Sequence, residues 1–103
     1  MTSWDLFDTV EWLLRECRDQ GAIGPDAEPV MISLTGEGSS DCPPGEAVKE
    51  AIDFCRKQAF EFFPDGWVRL RAGSSLESDD GVAVYATKQG IRALESRLKA
   101  RNA

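Results

Sequence analysis

The stretch "VYATKQGIRALESRLKAR", Val84 to Arg101, changes period partway along and so divides two kinds of element. Its first residues close the run "VAVYA" (82–86), which has the length and β-branched content of a strand. From Ile91 onward the apolar residues fall at Leu94 and Leu98, three and four apart, a narrow stripe on one helix face. Thr87 stands at the junction, where its hydroxyl can cap the helix. Just upstream, "WVRLRA" (67–72) alternates, with Val68, Leu70 and Ala72 on one face and Trp67, Arg69 and Arg71 on the other. The polar loop "GSSLESDDG" (73–81) joins the two runs, which predicts a C-terminal hairpin followed by a closing helix.

Further outward, "PDG" at 64–66 marks a turn that ends a long helix over 44–63. Pro44 suits its first turn, and Val48, Ile52, Cys55, Ala59 and Phe62 recur at spacings of four and three. Ala47, Ala51, Phe54, Phe60 and Phe63 widen that stripe, so the helix has more than one packing neighbour. Asp53 and Lys57 form a supporting pair on its exposed side. "VMISL" (30–34) is a buried strand between the loops "AIGPDAEP" and "TGEGSSDCPPG". A first helix runs from about Trp4 to Gln20, with Ser3 as N-cap and Gly21 as terminator. The fold class is α+β: one domain over residues 1–103, in the order α-β-α-β-β-α. Three helices pack on a small, mainly antiparallel sheet.

With 103 residues, 42% hydrophobic and 29% charged, the chain can bury a core without metal or disulfide staples. No apolar run is long enough to span a bilayer, and the start lacks the pattern of a signal peptide, so a cytoplasmic protein is expected. Three cysteines are an odd, sparse set. Cys17 and Cys55 fall on apolar helix faces as small buried hydrophobes, and Cys42, before Pro43, is the exposed thiol.

The chemistry available is narrow. The absence of His removes histidine-based triads and general bases, and no cofactor or metal ligand set is expected. "SLTGEGSSD" sits where phosphate loops do, yet it lacks their lysine, and Glu37 and Asp41 would repel an anion; it reads as a connector. "ESDD" (77–80) lacks the ligand alternation of a calcium loop and reads as a solvated turn. A non-enzymatic role is expected.

Charge is unevenly placed within the net −6. Residues 1–66 carry 14 acids against 5 bases, and residues 67–103 carry 4 acids against 7 bases. Such polarity steers a charged partner. On the first helix Leu6, Phe7, Val10, Leu13, Leu14 and Cys17 form the apolar arc. Trp12 projects to the other side, between Asp5, Asp8, Glu16 and Asp19. An aromatic there is either covered within the monomer or is an interface anchor whose surrounding acids attract a basic partner. A homodimer through this face would set acid against acid. At the C-terminal end, Lys88, Arg92 and Lys99 share one helix face and, with Arg69 and Arg71, make either a solvated face or a patch for nucleic acid or an acidic protein.

The junction Tyr85-x-Thr87-x-x-Gly90 followed by Leu94 resembles the wing strand and closing helix of winged-helix DNA-binding regulators, and "DGWVRLR" resembles the entry to the wing. The resemblance covers residues 67–101 and implies "SSLESDDG" as wing tip, with Arg69, Arg71 and Lys88 approaching phosphates. The segment before it departs from the family. A winged helix needs a short helix, a turn and a recognition helix there, whereas this chain has a Gly-rich loop and one long helix bearing Glu46, Glu50, Asp53 and Glu61. The bland alternative makes Thr87 a cap and Gly90 a packing residue.

The favoured expectation is a small acidic module that binds a basic, nucleic-acid-handling protein surface stoichiometrically, with no membrane and no direct nucleic-acid contact. In size and charge it is similar to small bacterial or phage proteins of the anti-defence or immunity kind, that is, inhibitors of bacterial defence complexes and toxin-neutralising immunity proteins. The alternative is a winged-helix regulator that binds DNA as a dimer.

Overall fold

The computed structural model describes residues 4–62, 66–77 and 81–101, with the side chains of 57–62 and 101 outside the description. The order is α1 (Leu6–Asp19), β1 (Val30–Ile32), α2 (Gly45–Phe62), β2 (Val68–Leu70), β3 (Val82–Ala86) and α3 (Lys88–Arg101). This is the expected α-β-α-β-β-α arrangement. The expected Ser3 cap, Pro64 and Asp65 of the turn, Phe63, and 78–80 of the acidic loop lie outside the described residues, as do the side chains of Lys57, Ala59, Phe60, Glu61 and Phe62.

The three strands form one antiparallel sheet in the order β1-β3-β2. β3 is central because it is the longest and is buried along most of its length: Val82, Val84 and Ala86 are fully buried and Ala83 nearly so. β2 pairs with it as the expected hairpin, in the register Val68 to Ala86 and Leu70 to Val84. Residues 22–24 extend the β1 side of the sheet, where Ala86 N–H donates to Ala22 C=O and Gly24 N–H donates to Ala86 C=O, both at 2.9 Å. Both short strands are trimmed relative to the sequence pattern. Ala72 falls beyond β2 and is exposed, and Ser33 and Leu34 fall beyond β1.

α1 and α2 pack on each other, and α1 also contacts β3 and α3. Leu13, Leu14 and Cys17 of α1 meet Val48, Ala51, Ile52 and Cys55 of α2 and Leu94 of α3 in a single buried cluster with the strands. α1 starts later than its pattern suggests, because Asp5 is the cap: its carboxylate accepts from Asp8 N–H at 2.7 Å. α2 runs unbroken for 18 residues and begins at Gly45, one residue after Pro44. A side chain at Gly45 would collide with the Leu34 carbonyl, so the loop and helix close only around glycine.

α3 is fixed at its start by Thr87. Its hydroxyl donates to the Gly66 carbonyl and accepts from Gly90 N–H at 3.1 Å. Leu94 is buried, with Ile91 and Leu98 half-buried beside it. Gly90 lies so close to Trp67 that a Cβ would overlap the Trp67 carbonyl. Thr87 thus caps α3, and Gly90 permits its close approach to Trp67.

Candidate functional site: a cleft along the edge strand

Trp12 lies half-buried against the flank of the core rather than standing free on the polar side of α1. It lines a cleft of about 430 Å³ together with Glu16, Met31, Ser39 and Pro43. Its neighbours there are β1, the 36–43 loop and Val48 of α2; no described residue of α3 or of the stretch before α1 lines that cleft. Trp4 donates its indole N–H to the Ser39 carbonyl at 2.8 Å, tying the chain start to the loop that walls the cleft. Met31, which the sequence reading placed simply in a buried strand, is 70% exposed beside it. The signal that would have found it is the alternation in β1, where Val30 and Ile32 point inward and the intervening residue must point out.

The four acids expected around Trp12 have separate employments. Asp5 caps α1. Asp8 pairs with Arg97 at 3.6 Å, on the side facing α3. Asp19 pairs with its neighbour Arg18 at 3.2 Å, and Glu16 accepts from Gln20 at 3.0 Å. Only Glu16 joins Trp12 in lining the cleft. Among the described residues the acid most deeply placed is Glu11, 7% exposed, which accepts from Arg97 Nε at 3.1 Å. Sequence reasoning missed it because its partner is 86 residues away.

The basic residues divide as well. Arg69, Lys88 and Arg92 line one shallow concavity of about 460 Å³ with Tyr85, at the start of α3. Arg71 and Lys99 are exposed and do not line it.

Burial pushes the Cys17 thiol up to about 12, helped by the charge of Glu16 and opposed by a hydrogen bond from the Ala86 backbone. Burial likewise raises Cys55 to about 12, with Cys17 adding to it. Such thiols stay protonated and are poor nucleophiles. Cys42 is the exposed one. Among the described residues no group of three or more Cys, Asp or Glu could hold a metal ion, and no helix is long and apolar enough to cross a membrane. No family model matches the chain, and no curated protein or solved structure matches it.

Proposed function

We propose that the chain is a small acidic interaction module that binds a basic, nucleic-acid-handling protein stoichiometrically and without turnover. One observation carries this reading: a half-buried Trp12 and a 70% exposed Met31 line the same open cleft, in the acidic part of the chain. A large aromatic beside an exposed thioether is the composition of an interface centre rather than of a solvated face. Glu16 in the cleft and the acidic excess of residues 1–66 would speed encounter with a cationic surface. Catalysis has little support, since the buried thiols are held protonated and the chain contains no histidine.

The test is an affinity pull-down with wild type and Trp12→Ala, in untreated and nuclease-treated lysate, at low and high salt. Retention of a basic protein by wild type alone, whatever the nuclease treatment, supports the reading. Retention of nucleic acid without regard to Trp12 overturns it.

A second reading, DNA binding through the C-terminal region, draws on the convergence of Arg69, Lys88 and Arg92 around Tyr85. The unbroken α2 favours the first reading over it. That helix leaves no turn from which a separate recognition helix could start between 45 and 62.

A further inference from the structure

The ladder of the sheet determines which backbone groups of β1 face outward. Arg71 N–H donates to the Ala83 carbonyl at 2.9 Å, and Ala83 N–H donates to Ser74 Oγ at 3.2 Å. Ala83 therefore turns both its backbone groups toward the β2 side. Along a strand these groups alternate sides, so Val82 and Val84 turn theirs toward β1, where they face Ile32 and Val30. Ala86 agrees, because its N–H and C=O meet Ala22 and Gly24 on that same side. Val30 and Ile32 thus use their backbone groups on β3, while Met31 turns its N–H and C=O away from the sheet. β1 is an edge strand, and among the described residues no strand lies beyond it.

That open edge borders the cleft lined by Trp12, Glu16 and Ser39. An unpaired strand edge is a template for another extended chain. Charge decides which chain. Residues 19–48 contain Asp19, Asp26, Glu28, Glu37, Asp41 and Glu46 and no Lys or Arg. A second copy would bring this one-signed stretch against itself, in a chain of net charge −6. A cationic segment meets the opposite field.

We propose that β1 is a strand-addition edge for an extended, basic segment of the partner. The segment pairs with the N–H and C=O of Met31 and inserts one apolar side chain into the cleft against Trp12. Pro29, which has no N–H, ends the ladder on one side, so the added strand is short. The inference rests on the protein-binding reading and gives it a docking mode.

The test uses three synthetic nine-residue peptides: one alternating lysine and valine, the same peptide N-methylated at alternate residues, and one alternating glutamate and valine. Each is titrated into the full chain as wild type, Met31→Pro, Met31→Ala and Trp12→Ala, with amide NMR shifts and exchange rates as readout. Circular dichroism confirms that each variant folds, which Met31→Pro should do because the lost N–H points outward. The expected result is lysine–valine binding with Kd below about 1 mM, slowed exchange of the Met31 amide, and an affinity loss of about tenfold or more in Met31→Pro that exceeds the loss in Met31→Ala, where only the side chain is trimmed.

Equal binding of the N-methylated peptide, equal binding by Met31→Pro, or no lysine–valine binding at all overturns strand addition. Preference for the glutamate peptide overturns the basic assignment. Dimerisation by sedimentation that Met31→Pro abolishes assigns the edge to a second copy and overturns it too. Trp12-dependent capture of a basic protein that is indifferent to Met31→Pro removes the strand-addition inference alone and leaves the interaction module standing.

Discussion

Arg97 of α3 donates through Nε to Glu11 of α1 at 3.1 Å, and the carboxylate it meets is 7% exposed. The same guanidinium reaches Asp8 at 3.6 Å, so one cation gathers two acids of the first helix onto the last. Arg15 stands 3.9 Å from Glu11 on its other side.

Removing Arg97 leaves a buried carboxylate short of its main partner. Arg97→Ala should therefore destabilise the fold by about 1–3 kcal/mol, with Arg15 limiting the loss. Urea denaturation measures it. Glu11→Gln in the Arg97→Ala background should recover part of the difference, because the buried charge that Arg97 had met is then gone.

Asp5 serves the helix as its cap. Asp5→Ala removes the carboxylate that accepts from Asp8 N–H, at a cost of about 1 kcal/mol in thermal or urea unfolding. Partner capture at a temperature where the variant is folded should match wild type. A loss of capture comparable to that of Trp12→Ala would put Asp5 in the interface instead.

Gly90→Ala forces a methyl onto the Trp67 carbonyl and against Leu14 Cδ2, which would lie at 3.1 Å. Thr87 N–H also bonds that carbonyl, at 3.0 Å, so neither side can retreat freely. The substitution should cost about 1–3 kcal/mol even though alanine favours helix. A neutral or stabilising result in chemical denaturation would show that α3 slides without penalty.

The thiols give a pH signature. Cys17 and Cys55 are raised from 9.0 to about 12 in the folded chain, so above pH 9 the unfolded chain loses protons that the native one keeps. Stability is intact below about pH 9 and should fall as pH rises from there toward 12, at up to ~1.4 kcal/mol per pH unit for each thiol. Cys17→Ala and Cys55→Ala should each flatten that slope. At pH 8 a thiol reagent should find Cys42 alone in the native protein and all three cysteines after unfolding.

Met31, 70% exposed, contributes little to the core, so Met31→Ala should change stability by less than about 0.5 kcal/mol. Association of wild type with the proposed basic partner should slow as salt rises, because attraction between opposite charges is long-ranged and screened. Salt-independent association rates would count against electrostatic recruitment.

The sequence by itself determined the elements, their order and most of the inward faces. Apolar spacing in "VKEAIDFC" and alternation in "VAVYA" are local, and each encodes which side an element buries. Thr87 and Gly90 were legible as cap and packing residue for the same reason. Tertiary structure alone decided what covers the remaining sides. Glu11 and Trp12 both lie on the polar side of α1 by helical periodicity, yet α3 buries one with Arg97 and the β1 edge half-covers the other. The outward turn of Met31's backbone likewise follows only from pairing with a strand some 50 residues away. Periodicity reports the side an element turns inward; burial of the other side depends on neighbours far along the chain, and on that side the candidate site lies.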